Sequence, residues 1–495
     1  MIPTISLAID PALASHRAEI SYIWRTLLTG MGYGWHEQPW GNAQVTIAYA
    51  IDPAQTPPAS IVIHARPERW ANPAQTHLLG AKRWNGYDLP LLAEDQANAQ
   101  PTTATGSIHI PDDPIFAAFW LLSGYEEDQY PILKHGYRDL SGTPMLEQGL
   151  LRRALASAVG CWLADLLRRS GCPPGLPRWP HGATLAAACG HDVDYPEVVR
   201  WLEPLRVLLR QGGRGLGAAL DVASGRRAHW HFRSWMELES RIGARSAFYF
   251  VARQGSLWEY ATGLPDPFYD VQAPHFRALF QELSAAGWEI GLHASYRAYT
   301  DRALLAAERA RLAAASHQPI DGNRHHYWHL DPLQPEQTLL MHEQVGFRYD
   351  ASLAHNRYLG WRRSSVWPFF PWHRRLRREI RTLQLPTGWM DDHLFGQKRF
   401  NPGDRYALLG ELRETVTKQS GLLLVDVHDY VYDDKLFPGW AATYRELWEE
   451  LAARGRVWFA TPAAIAEHWL QRAAQIAAAS KGLALAVRHP TTVAQ

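Results

Sequence analysis

Two carboxylates close an apolar run in the tetrapeptide His191-Asp192-Val193-Asp194. The run, residues 183–190, reads as a buried strand ending in Gly. Carboxylates just past a strand suit open α/β folds and barrels, where ligand sites gather at the carboxyl ends of the strands. In an Asp-x-Asp pair, like charges push the two pKa values apart. A metal ion on one member keeps it ionised and leaves the other available as a base. The plainer alternative is a helix N-cap, since a helix is expected soon after Glu197.

Four other segments offer matching chemistry at strand ends. Glu289-Ile-Gly-Leu-His293 brings a histidine, and a neutral imidazole beside a carboxylate is a usual shell for Zn²⁺ or a similar ion. Asp321-Gly-Asn-Arg324-His325-His326-Tyr-Trp-His329 supplies Arg324, which can orient a carboxylate, and histidines of which one can complete a two-His, one-carboxylate shell. Leu422-Leu-Leu-Val-Asp426-Val-His428-Asp429 ends in a histidine able to act as general acid. Thr387-Gly-Trp-Met-Asp391-Asp392-His393 carries carboxylates that can pair with His428 or Arg324, or cap a turn. Tyr358, Trp361, Trp367 and Trp372, in the Trp-, Arg- and Pro-rich stretch 356–379, can floor a sugar site or pack a lid.

The elements that must position these residues alternate. Strands are expected at 183–190, 246–252, 288–293, 319–324, 347–353, 380–386, 421–428 and 456–460. Helices are expected between them, at 274–286, 300–316, 334–345 and 404–419 among others. This βα alternation implies a parallel sheet or barrel. The Pro- and Gly-rich stretch 171–182 is the expected linker after a smaller α/β domain, residues 1–170. That domain ends in a helix over 147–169 with Leu151, Leu155, Val159, Trp162 and Leu166 on one face. The barrel is expected over 183–473, a mobile stretch at 213–226, and a peripheral Ala-rich tail over 474–495.

Composition excludes several classes. The 495 residues are 46% hydrophobic and 20% charged, which is globular rather than disordered. A net charge of +1 provides no basic field for nucleic acid. Three cysteines, Cys161, Cys172 and Cys189, lack paired metal spacing and fit a reducing compartment. No secretion signal and no apolar run of membrane-spanning length is visible, so a cytoplasmic protein is expected.

Taken in order, the motifs resemble those of the NodB-type polysaccharide deacetylases, carbohydrate esterases with an irregular (β/α)7 barrel. The resemblance covers roughly residues 183–470 and implies Asp192 as base, Asp194 and His293 as metal ligands, Arg324 as the residue holding the base, and His428 as catalytic acid. Asp392 resembles the family's fourth acidic residue. Two departures stand out: Arg297 occupies the place of the second metal histidine, and His326 the place of a proline. His326 is therefore expected to take over the missing ligand role, with His325, His329 and His317 as alternatives. The segment Phe119-Trp-Leu-Leu-Ser-Gly-Tyr-Glu126-Glu127 resembles an N-terminal motif of a bacterial subgroup of that family. The implied activity is metal-dependent removal of an acetyl group, N-acetyl first, from a sugar or sugar conjugate. The implied cofactor is one divalent ion, zinc first, with cobalt, nickel or iron compatible. Two other functions stay open: hydrolysis of a cyclic or other non-sugar amide, and a silent carbohydrate-binding or scaffolding role.

Overall fold

The protein is described from a computed structural model, which covers all residues except 42, 105, 198–201, 257, 260–265, 397–399 and 481–495, and the side chain of 210. The chain forms two compact units. One comprises Met1–Trp120, Ala156–Arg178 and Trp469–Gln495, and the other Leu121–Leu155 and Trp179–His468.

The first unit is a mostly parallel sheet. Its strands β1 (Thr4–Ile9), β2 (Gly34–Glu37), β3 (Val45–Ala50), β4 (Ala59–His64), β7 (Thr102–Ala104) and β8 (Ser107–Ile110) lie in the order β2-β1-β3-β4-β8-β7, with only β7 antiparallel. A separate hairpin, β5 (Leu78–Trp84) and β6 (Tyr87–Leu92), turns at Asn85-Gly86, both with positive φ. The long helix expected over 147–169 is split. Ala154 sits at φ +49, and the regular helix is Leu155–Arg169. The expected domain edge at 170 also falls elsewhere, because 121–155 groups with the barrel. The tail does not begin at 474: the helix Pro462–Ala479 runs through that point, Ile476 is buried, and the Trp35 amide donates to Ser480 Oγ at 3.1 Å. Residues 481–495 of the expected tail lie outside the described residues.

The second unit is the barrel. Its strands are β9 (Leu185–Val193), β10 (Ala247–Phe250), β11 (Glu289–Ala294), β12 (Gly322–His325), β13 (Tyr349–Asp350), β16 (Leu383–Gln384), β17 (Thr387–Met390), β18 (Leu422–Asp426) and β19 (Val457–Phe459). A small antiparallel pair, β14 (Trp372–His373) and β15 (Arg378–Glu379), stands apart. The main sheet runs β16-β13-β12-β11-β10-β9-β18-β17, with β19 also on β9, and every pairing is parallel. β16 and β17 stand at opposite ends of that path, yet only Leu385-Pro386 separates them in the chain. The bent segment 383–390 therefore joins the two ends and closes the sheet. Pro386 has no N–H to give a ladder, and the Leu385 amide still reaches Asp350 O at 2.9 Å. The result is an irregular seven-position (β/α) barrel.

The strands are apolar on both faces, as parallel strands under helices must be; all nine residues of β9 are buried. Helices Pro274–Ala285, Arg302–Ser316, Pro335–Val345 and Pro402–Lys418 cover the sheet. Three begin with proline in the first turn, and Asp301 caps the fourth by accepting from the Leu304 amide at 2.9 Å. The stretch expected to be mobile contains a helix, Leu216–Ala223, anchored by buried Ala219 and Val222. Among the described residues no helix is long and apolar enough to cross a membrane.

Candidate active site

All the chemistry-bearing ends of the barrel strands point to one rim. β9 delivers Asp192 and, one step beyond, Asp194. β11 delivers His293, β12 Arg324 and the following His326, β17 leads into Asp391, and β18 into His428. Asp194, His293 and His326 each offer a ligand atom within 4.8 Å of the others, and all three are buried. Asp194 Oδ1 lies 3.4 Å from His293 Nε2, and Oδ2 lies 3.5 Å from His326 Nε2.

Each imidazole is aimed by a bond on its far nitrogen. His293 Nδ1 donates to the Arg324 carbonyl at 2.9 Å, and His326 Nδ1 faces Asp266 Oδ1 at 3.3 Å. Both Nε2 atoms are thereby turned toward Asp194, the arrangement that orients metal-ligating histidines. Burial disfavours charge on Asp194, but His326 and His293 outweigh it and hold its carboxyl well below the usual range. Burial likewise opposes a charged His326, and Asp194 and Asp266 reverse this, pushing it up to about 10. A field that favours a proton here favours a divalent cation in its place. Asp194 Oδ1 is buried without a hydrogen-bond donor. Two imidazoles and a carboxylate are a suitable donor set for Zn²⁺ or a related ion, so the residues fit the implied metal.

Asp192 is held differently. Arg324 Nη1 donates to its Oδ1 at 2.8 Å, while Oδ2 stands 3.6 Å from His293 Nε2. Burial opposes its ionisation, and Arg324, His293 and His428 outweigh burial, keeping the carboxyl below its ordinary value. The same Nη1 lies 3.0 Å from Asp426 Oδ1, on β18. One guanidinium thus serves two buried carboxylates, and burial drives Asp426 well above the usual range. The Arg324 guanidinium also lies 4.5 Å from the centroid of the Tyr249 ring. Glycine at 190 makes room for this: a Cβ there would stand 2.6 Å from both Arg324 Nη2 and the Tyr249 ring.

His428 also approaches Asp194, with Nε2 at 3.6 Å from Oδ2. Its Nδ1 faces both Asp391 oxygens at 3.0 and 3.1 Å, and its backbone N–H donates to Asp391 Oδ2 at 2.8 Å. Burial disfavours the imidazolium, but Asp391 dominates and raises the His428 pKa well above its ordinary value.

These contacts correct one expectation. Asp391, not Asp392, is the carboxylate on His428; Asp392 opens the short helix Asp392–Phe395, and its backbone carbonyl accepts from Gly396 N. The alternatives for a third ligand point elsewhere. His325 Nε2 is 2.9 Å from His342 Nε2, His329 Nδ1 faces the Tyr296 carbonyl between two tyrosine rings, and His317 ends a helix in the left-handed region. Arg297 is exposed. The tryptophans of 356–379 do not floor a sugar site: Trp361, Trp367 and Trp372 are buried, and Trp367 Nε1 donates to Gln419 O at 2.9 Å. Tyr358 is half-buried, its hydroxyl beside Asp139 and the Leu140 amide.

The sequence reading missed two functional carboxylates. Asp266 sits in a stretch of sequence without apolar periodicity and carried no local signal. Asp426 did carry one, a charge closing four apolar residues, and Arg324 is its partner. A second cluster, Cys189, His191 and Glu239, is saturated internally. Glu239 accepts from His191, Ser246, Trp288 and Tyr444, and His191 Nδ1 from the other side meets Val427 O at 2.8 Å.

No protein-family model matches the sequence, and no curated protein sequence matches it. Solved structures similar to this chain include one described as a polysaccharide deacetylase from Pseudomonas aeruginosa PAO1, at 18% identity and a TM-score of 0.40, covering 61% of this chain and 96% of that one. A PuuE allantoinase is similar at 17% identity and a TM-score of 0.40, covering 61% and 95%. A third, described as a polysaccharide deacetylase from Mycobacterium smegmatis, is similar at 17% identity and a TM-score of 0.38, covering 59% and 93%.

Proposed function

We propose that the chain is a metal-dependent hydrolase that removes an acetyl group, N-acetyl first, from a sugar or sugar conjugate. One observation carries the reading: a held carboxylate, an ion cradle and a carboxylate-backed imidazole converge within 4 Å of the Asp194 and His293 side chains. Asp194, His293 and His326 would hold one divalent ion, zinc or a similar metal. When bound, such an ion supplies Lewis acidity toward an acyl oxygen and a lowered pKa for water.

The chain's own residues do the rest. Asp192, kept ionised by Arg324, takes the proton of the attacking water at the oxygen not bonded to the guanidinium. Arg324 fixes that carboxylate by one charge-assisted hydrogen bond, and Asp426 fixes Arg324. His428, charged through Asp391, gives the Nε2 proton to the departing amine nitrogen. Binding alone needs no base, orienting cation and acid together, which favours catalysis over a silent carbohydrate-binding role. A cytoplasmic location belongs to this reading, since the three cysteines form no disulfide. It favours a soluble substrate such as a nucleotide sugar or small glycoside over an external polymer.

The test is acetate release from a panel of N-acetylated sugars and nucleotide sugars, set beside cyclic ureides, with metal content measured in parallel. Acetate release that depends on added metal and is lost in Asp192→Asn supports the proposal. Turnover of the ureides alone would transfer the same chemistry to cyclic amides. Glycan binding without metal or turnover would leave only the binding role.

A further inference from the structure

The first unit contains a cavity of about 340 Å³ at the carboxyl ends of β4 and β8, walled by His64, Arg66, Gln96, Gln100, His109 and Asp112 among others. Carboxyl ends of parallel strands are where open α/β sheets bind ligands, and this volume suits a sugar-sized molecule. The charges around it do not all cancel. Asp112 is paired with Lys82, and Arg69 with Asp95 at 2.8 Å. The Asp113 carboxylate accepts from Tyr49 Oη at 2.7 Å, the Phe116 amide at 2.9 Å and the Arg66 amide at 3.0 Å. Among the described residues the Arg66 guanidinium has one contact, 3.4 Å from Nη2 to the Pro111 carbonyl, and its Nε is buried without a partner.

A half-buried guanidinium with an unmet donor, beside two imidazoles and two primary amides, is a receptor for an oxyanion. Burial, then the charge of Arg66, pushes His64 below its ordinary pKa, and its ring bonds to the Pro111 and Ile51 carbonyls, so it forms a neutral wall of the cavity. We infer that this cavity binds an anionic sugar-sized metabolite, its oxyanion (phosphate ester or carboxylate) paired with Arg66 and further bonded by His109 and the glutamine amides. The inference stands on the first unit alone and is independent of the chemistry of the barrel.

Calorimetric titration of the full chain with glucose 6-phosphate and with glucuronate tests it. Saturable binding of at least one is expected, weakened about tenfold or more in Arg66→Gln, the loss of a charge-assisted contact. Binding of the ester alone or of glucuronate alone identifies the oxyanion. The melting temperature of each variant reports folding, and if Arg66→Gln does not fold, His109→Gln at a partly exposed position carries the test. No saturable binding of either ligand, or binding that these substitutions leave unchanged, overturns the inference.

Discussion

Asp266 Oδ1 lies 3.3 Å from His326 Nδ1, on the side of the ring away from Asp194. Asp266 is itself pinned, accepting from the Tyr296 amide at 2.8 Å and from Arg253 Nη1 at 2.9 Å. The carboxylate therefore dictates both the tautomer and the tilt of the imidazole that we propose as the second metal histidine. Asp266→Asn keeps the shape but weakens the acceptor. Metal affinity, read by chelator competition, is expected to fall about 10- to 100-fold, the usual cost of losing such a partner. An unchanged affinity would show that His326 is not a ligand aimed by Asp266.

Arg324 is wholly buried between Asp192 and Asp426. Arg324→Met removes the cation in direct contact with two buried carboxyl groups, so a loss of about 3–5 kcal/mol in urea unfolding is expected. Asp426→Asn is milder, because the Asp192 bond survives. Gly190→Ala is informative in another way: it keeps every charge but crowds Arg324 and the Tyr249 ring. An overpacking cost of about 1–3 kcal/mol is expected there, with a drop in turnover larger than the drop in substrate affinity. Gly190→Ala protein with full activity would mean that Arg324 does not need its observed position.

Most of this frame was legible in the sequence. The barrel strands end within a few residues of where apolar runs stop at charged or histidine residues, because parallel strands are buried on both faces and announce themselves as runs. The departure at Arg297 pointed to His326, which β12 does place beside Asp194. Three things were not legible. The closure at 383–390 depends on which strands neighbour β16 and β17. The grouping of 121–155 with the barrel depends on long-range contacts, among them those of Glu127, which is buried against Arg362 and Arg363 far along the chain. Those contacts take the buried Glu127, whose ionisation burial opposes, to a pKa far below its usual range through Arg362 and Arg363. The choice between Asp391 and Asp392 depends on a helix turn, since neighbouring carboxylates at a helix start diverge.

That last choice yields a paired prediction. Asp391→Asn removes the charge that Nδ1 of His428 faces, and turnover at neutral pH is expected to fall about 100-fold or more, the contribution of a positioned general acid. Asp392→Asn, with no bond to His428, is expected to stay close to wild type. Both are read as kcat on the acetylated substrate, with Nε2 loss in His428→Ala as the reference. Equal losses in the two asparagine variants would mean that Asp391 is not the residue that charges His428.

Glu308 links the barrel's rim to pH. It is buried, and accepts from the Ser295 amide at 2.9 Å and from the Ser295 hydroxyl, just past His293 and Ala294 on β11. Burial outweighs those donors and raises its carboxyl from 4.5 to about 7. The folded chain thus holds this proton more tightly than the unfolded chain. Its stabilising contribution is complete below about pH 4.5 and is lost as pH rises through about 7. The difference is worth about 3 kcal/mol, to order of magnitude. Glu126 and Glu289 also titrate at about 7, so the whole-protein curve mixes several groups. Comparing wild type with Glu308→Gln isolates one. Gln keeps an acceptor for the Ser295 amide and cannot ionise. Urea midpoints of the two proteins are expected to be close below about pH 4.5 and to separate as pH rises from there to about 7, with the variant the more stable. A separation that does not grow with pH would place the titration elsewhere.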